Sequence, residues 1–450
     1  LAVADVNSDG LEDLYIGGAS GIPAQLLLQG ENGQFTTSNT NLFEKEKPYE
    51  DVDALFVDLN GDGALDLYVV SGGNEYPAND FHYTDRVYLN DGAGNFLKGA
   101  IVGLARTSGS VVKAIDIDAD GDQDLFVAGR HVPHQYPSPA TSMLLINEGG
   151  QLVNETESVA PEFKHLGMVT DALWTDYDSD GDPDLMLLGE WMPLTIFNNK
   201  EGLLSKATIP SFESTSGWWF SLASADMDGD GDPDYLAGNL GLNYKYKTTP
   251  EKPFDVYYND FDGNNKYDIV LGYYNQDKHF PLRGFSCSSE QVPILKSTFK
   301  KYDVFASLQI EEVYGEENLK QSLHYETQTF ASHYIENLGN GAFALKPLPY
   351  QAQMSNINAF HIEDFNGDGQ QDILGVGNLF VSEIETPRND AGVGVFLTGT
   401  EQGAFANVPI NQSGFYSPLD AKKMAKIHIA GAPHILVANN NDRLQLFKIN

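Results

Sequence analysis

One nine-residue pattern, D-x-[DN]-x-[DN]-[GN]-x-x-D, occurs seven times in this chain, each time between two short apolar runs. Such a repeat excludes most folds at once, because each copy is a small unit that cannot bury its apolar face without a neighbour. The copies begin at Asp5, Asp58, Asp116, Asp176, Asp226, Asp260 and Asp364, and four of the intervals lie between 50 and 60 residues. That spacing fits one four-stranded propeller blade per repeat. A length of 450 residues exceeds one ordinary core, and a ring of blades accommodates the excess.

The flanks are short, alternating and rich in β-branched and aromatic residues, as in Ala54 to Val57 before a loop and Leu65 to Val70 after it. Each pair reads as a hairpin. Most repeats add a second hairpin with a Gly/Asn-rich turn, as from Val87 to Phe96 and from Met143 to Leu152. The regularity breaks twice. Only 34 residues separate Asp226 from Asp260, so Phe254 to Tyr258 and Tyr267 to Leu271 fit the outer hairpin of the preceding blade. An insertion follows over about 276–329, with helical patterns from Ser289 to Lys296 and from Ala306 to Tyr314. The last unit has three strands and no acidic loop, and a segment upstream of Leu1 is expected to supply the missing strand. The expected fold is an all-β propeller of seven or eight four-stranded blades, strand counting favouring eight. Residues 1–450 form one domain, expected to be the C-terminal part of a longer precursor.

Carboxylates or amides at positions 1, 3, 5 and 9 of a loop can wrap their oxygens round one hard cation, with the carbonyl of position 7 completing the shell. The candidate ligands are Asp5, Asn7, Asp9 and Asp13; Asp58, Asn60, Asp62 and Asp66; Asp116, Asp118, Asp120 and Asp124; Asp176, Asp178, Asp180 and Asp184; Asp226, Asp228, Asp230 and Asp234; Asp260, Asp262, Asn264 and Asp268; and Asp364, Asn366, Asp368 and Asp372. Any one copy reads equally well as a loop rich in Asx turns. Seven at blade spacing point to calcium, up to seven ions, since magnesium demands a stricter octahedron and no nitrogen or sulfur donor is offered. The loop at Asp260 departs from the pattern, with Asn264 and Asn265 where others have Asp or Asn followed by Gly.

At these loops the chain resembles the VCBS/FG-GAP repeats of integrin-type propellers. More narrowly, the segments from Gly129 to Pro133 with Tyr136 and Pro137, from Leu188 to Pro193, from Gly238 to Asn243 and from Cys287 to Pro293 resemble large bacterial surface proteins related to cartilage acidic protein. The resemblance implies an exported, calcium-loaded propeller, often surface-attached, and supplies no catalytic motif.

Composition narrows the partners. With 27 basic against 64 acidic residues and a net charge of −37, nucleic acid and anionic membrane are poor partners, and no window approaches a membrane span. His131 and His134 could form a metal or catalytic pair, against the plainer reading of loop histidines. Trp191, Trp218, Trp219 and Phe220 could stack on sugars or pack between blades. Cys287 reads as a structural thiol, and Asn154 and Asn411 head formal glycosylation sequons. The expected function is protein interaction or scaffolding at the cell surface, outer-membrane-associated in a Gram-negative bacterium, without catalysis. The rival is a glycan-binding protein or polysaccharide lyase, with Arg130, His131, Arg283 and Lys300 as its candidates.

Overall fold

A computed structural model describes residues 1–100, 105–382, 386–400 and 403–449. Its strands form eight antiparallel sheets, seven four-stranded in their main path and one three-stranded. In each sheet the acidic loop, where there is one, joins the first strand to the second, and position 9 of the loop begins the second strand. Thus Val57 pairs with Asp66, Ile115 with Asp124 and Thr175 with Asp184.

The second strands explain the near-continuous apolar runs. Asp66–Ser71 and Asp184–Met192 are buried along their whole length, because a strand inside a blade is covered on both faces by neighbouring blades. Tyr15, Leu67 and Val69 lie between the first and second blades, Tyr68 and Leu125 between the second and third, and Phe126 and Leu185 between the third and fourth. Leu188 and Tyr235 continue the series, then Leu236 and Ile373, then Leu374 and Ile435. Leu14 meets Ile427 and Leu436, which closes the ring between the three-stranded blade and the first.

Seven of the eight sheets therefore make the ring, and the strand count of eight is reached by a sheet standing outside it. That sheet orders Lys278–Pro281, Asp268–Asn275, Phe254–Asn259 and Leu323–Thr327 side by side. The expected outer-hairpin role of Phe254 to Tyr258 and Tyr267 to Leu271 is thereby corrected. The outer hairpin of the fifth blade is His333–Asn337 with Phe343–Pro347, and the earlier pair forms the middle of its own sheet. A second core explains the difference: Phe261, Val270, Leu295, Phe305 and Ile310 bury one another beneath five short helices between Phe285 and Lys320. The chain leaves the ring after Gly238 and returns at His333, so the excursion starts well before 276. It leaves from the end of a second strand, which places it on the ring face opposite the acidic loops.

The innermost strands carry charges that pair across blades. Lys423 Nζ lies 3.2 Å from Asp53 Oδ1, and Lys113 Nζ lies 3.3 Å from Asp171 Oδ1. Burial alone would raise the Asp53 carboxyl, but Lys423 and Lys113 hold it below the usual carboxylate range.

Candidate metal centres

Each acidic loop is built by its own backbone. In the first, the N–H groups of Asp9 and Gly10 donate to Asp5 at 3.2 and 2.8 Å, and Leu11 N–H donates to Asp9 Oδ1 at 2.8 Å. The same ladder recurs at Asp116, where Asp120 and Gly121 donate at 3.1 and 3.0 Å and Asp122 N–H reaches Asp120 at 2.9 Å. Position 9 is buried and ties the loop down. Asp124 accepts from Ile117 N–H at 2.9 Å and from Asn147 N–H, on the third strand, at 2.7 Å.

Two positions in the loop need left-handed backbone. Position 6 is Gly121 at φ 100° and Gly181 at φ 97°, and in the aberrant loop Asn265 takes the same region at φ 64°. Asn is among the few residues that tolerate it, so the departure at Asp260 leaves the loop geometry intact. Position 4 is also left-handed, and there Ser8, Ala119 and Ser179 sit at φ 58°, 60° and 60°. That strain is invisible in the pattern, which leaves position 4 open.

The carboxylates converge as the spacing requires. Donor atoms of Asp116, Asp118 and Asp124 lie within 4.8 Å of one another, as do those of Asp176, Asp178 and Asp184, of Asp226, Asp228 and Asp230, and of Asp260, Asp262 and Asp268. In the last of these, Asn264 N–H donates to Asp260 at 3.0 Å and Lys266 N–H to Asn264 Oδ1 at 2.7 Å, the ladder of the regular loops. Loops with Asn at position 3 show that ladder too: Asp62 N–H donates to Asn60 Oδ1 at 3.0 Å, and Asp368 N–H to Asn366 Oδ1 at 2.8 Å. Burial, with the neighbouring aspartates adding to it, pushes the Asp184 carboxyl up to about 7 and those of Asp124, Asp234 and Asp268 up to about 6. Buried oxygens of Asp178, Asp184 and Asp232 have no hydrogen-bond partner. Crowded carboxylates with orphaned oxygens fit a divalent cation, and an all-oxygen donor set suits a hard one.

A second-order feature was missed by the sequence reading. Asn90 Nδ2 donates to Val6 O at 2.8 Å, Asn147 Nδ2 to Leu59 O at 2.8 Å, and Asn337 Nδ2 to Tyr177 O at 2.9 Å. Each bond clamps a third strand onto the acidic loop of the preceding blade. The signal was there: an Asn closes the third strand in all three cases.

The other candidates are engaged in structure. Arg130 is ion-paired with Glu190, its Nε at 3.0 Å from Oε1, and Glu190 Oε2 accepts from Tyr136 O–H at 3.0 Å. His131 is partly buried, pushed down to about 4 by burial and by Arg130, while His134 sits in an exposed turn. Arg283 donates to Gln291 at 2.7 Å, and Lys300 to Lys296 O at 3.2 Å. Trp191 and Trp218 pack edge to face with centroids 5.0 Å apart, and Trp219 is fully buried with Nε1 on Thr215 O at 2.9 Å. Cys287 is half-buried on the helix Phe285–Gln291. Among the described residues no helix is long and apolar enough to cross a membrane.

Residues 5–69, 58–127 and 176–237 match the FG-GAP-like repeat. A comparison with curated proteins finds no match. Among solved structures, a lectin of Agrocybe aegerita that recognises non-reducing terminal N-acetylglucosamine is similar at 14% identity and a TM-score of 0.48, over 99% of this chain and 92% of the lectin. The V. cholerae biofilm matrix protein Bap1 is similar at 12% identity and a TM-score of 0.36, over 99% of this chain and 86% of that one. The exotype rhamnogalacturonan lyase YesX is similar at 13% identity and a TM-score of 0.38, over 96% of this chain and 65% of that one.

Proposed function

We propose that this β-propeller with FG-GAP-like repeats is a calcium-loaded binding module of a cell-surface assembly, exported to the outer membrane of a Gram-negative cell. The observation that carries the reading is the division of the ring into two faces. One bears six acidic loops, and the inserted sheet with its helices springs from the other. Asp116, Asp118, Asp120 and Asp124, and their counterparts in the other loops, would hold the ions. Calcium, when bound, supplies the positive charge that the converging carboxylates lack.

The location follows from affinity. Loops of this kind fill at the millimolar calcium found outside cells, whereas sites with dissociation constants of about 10⁻⁴–10⁻³ M stay empty at cytosolic levels. The opposite face is then free to specify a protein partner, since irregular excursions on a rigid scaffold carry recognition more often than the scaffold does. Binding without catalysis is the reading because three of the four lyase candidates, Arg130, Arg283 and Lys300, already have a structural partner, and the fourth, His131, is partly buried.

Capture from membranes of the native cell, in 1 mM calcium and again in chelator, tests this. A protein partner retained only with calcium is expected. Sustained release of unsaturated uronate from an acidic polysaccharide by the calcium-loaded chain, abolished by Arg130→Ala, would replace the binding module with a lyase.

A further inference from the structure

The inserted sheet gathers a second kind of polar cluster, unlike the acidic loops in both donors and origin. Its centre is Asp255, on Phe254–Asn259, with its side chain only 4% exposed. Register puts Glu326 directly opposite Asp255 on one side and Gly272 opposite it on the other. His324 lies two residues before Glu326, and period-two alternation sets both on the Asp255 face.

His279 comes from two strands away. It reaches Asp255 because nothing stands between them: a Cβ on Gly272 would meet His279 Nε2 at 2.4 Å. His279 Nε2 lies 2.9 Å from Asp255 Oδ2, and its Nδ1 lies 3.5 Å from Glu311 on the helix Ile310–Tyr314. Both imidazoles are set in plane by tyrosines, His279 stacked on Tyr274 with centroids 4.5 Å apart and His324 on Tyr257 at 4.2 Å.

Asp255 Oδ2 has the His279 ring beside it and accepts from Tyr257 O–H at 3.4 Å, and the other oxygen is left over. Asp255 Oδ1 is buried and has no hydrogen-bond partner. It faces His324 Nε2 at 3.9 Å, and donor atoms of Asp255, His324 and Glu326 all lie within 4.8 Å of one another. Donors in a tetrahedral shell with bonds near 2.0–2.2 Å stand about 3.3 Å apart, so small side-chain adjustments close this set on an ion. One imidazole nitrogen with two carboxylates is a mixed donor set that favours a zinc-class divalent cation over calcium. His324 is 38% exposed, which leaves the site open to solvent and an incoming ion.

We propose that Asp255, His324 and Glu326 bind one zinc-class divalent cation, with His279 as the residue that orients Asp255. The Glu311, His279, Asp255 chain is the carboxylate and imidazole support that metal ligands commonly receive. The protein thus carries two metal chemistries, calcium-type loops on the ring and a nitrogen-containing site in the insertion.

The test is a Co²⁺ titration of the full chain saturated with calcium, followed by visible d–d absorption, with Zn²⁺ competition. One equivalent of Co²⁺ is expected to bind and to be displaced by Zn²⁺ and not by millimolar Ca²⁺. His324→Ala, and Glu326→Gln which keeps the side-chain shape, should each weaken binding at least tenfold while calcium stoichiometry holds. His279→Gln should weaken it about tenfold with the band position unchanged, as expected of a positioning residue. His428→Ala, on an exposed ring strand, should change nothing. Absence of a saturable band, its persistence in His324→Ala, or displacement by Ca²⁺ overturns the proposal.

Discussion

In the ring, the donor positions of each acidic loop lie within nine residues of chain. In the insertion, Asp255 meets His324 and Glu326 across a helical excursion that runs from Phe285 to Lys320. The first arrangement is local, with hydrogen bonds onto the first aspartate of the loop joining residues no more than five apart. The second exists only when four strands and the helix Ile310–Tyr314 are in place, because Gly272 and His279 are brought to Asp255 by sheet register alone. Local sites can be copied blade by blade, whereas a non-local site is made once and is free to differ.

Removing calcium should separate the two regions most. At 1 mM free ion and a dissociation constant of about 10⁻⁴ M, each filled loop adds roughly 1.4 kcal/mol, so a full set approaches about 10 kcal/mol. Chelator is expected to lower the melting temperature steeply, and an unchanged one would break the metal reading of the loops. Hydrogen exchange should show protection lost first in the ring blades and last in the core around Phe305 and Ile310, which has only one acidic loop beside it.

The next largest effect tests whether the ring axis is held by charge. Lys423→Met removes one of the two lysines facing buried Asp53, leaving Lys113 and the Val112 N–H at 3.2 Å, and should cost about 2 kcal/mol, less than breaking a fully buried pair because the lysine is partly in water. The insertion core should be untouched. The pH dependence has a definite sign. Asp53 is held below its ordinary value near 3.8 in the fold, so its contribution is complete above that value and is lost as pH falls through the depressed one. The destabilisation by Lys423→Met, measured in chelator, should therefore be largest at neutral pH and shrink as pH falls through the depressed value, because a protonated Asp53 gains nothing from the lysine.

The same contrast explains what could be read from the sequence. Seven loops, their ligand positions and the blade hairpins are short-range patterns, and the convergence of Asp116, Asp118 and Asp124 follows directly from their spacing. The strand from Phe254 to Tyr258 and its hairpin with Tyr267 to Leu271 were legible too, but its second partner was not, because Leu323–Thr327 pairs with it only after the helices intervene. Seven strand runs followed by a weak stretch look alike whether an extra sheet enters the ring or stands beside it. The inter-blade packing that decides between them, such as Leu236 on Ile373, is long-range.

A smaller effect distinguishes a ligand from a turn-former. Asp118→Ala should lower calcium stoichiometry by about one and cost roughly 1.4 kcal/mol at 1 mM ion, with almost no cost in chelator. Glu326→Gln should leave calcium stoichiometry unchanged. Isothermal titration of the two variants side by side checks both, and equal calcium loss would mean that the two regions do not bind independently.

The smallest expected effect concerns strain at position 4 of the loops. Ala119 is left-handed at φ 60°, and an L-residue there costs roughly 1–2 kcal/mol relative to glycine. Gly263, at the same position of the insertion loop, has φ 73° without that cost. Ala119→Gly relieves the strain, while the added freedom of glycine in the unfolded chain takes back part of the gain, leaving about 0.5–1 kcal/mol of stabilisation. The gain should be the same in calcium and in chelator if the hydrogen bonds of Asp120 and Gly121 to Asp116 alone impose the conformation. A gain seen only in calcium would show instead that the bound ion imposes the left-handed conformation on Ala119, which would make the ring loops less self-sufficient than the local argument requires. Denaturant midpoints of the parent and the variant under both conditions decide between these outcomes.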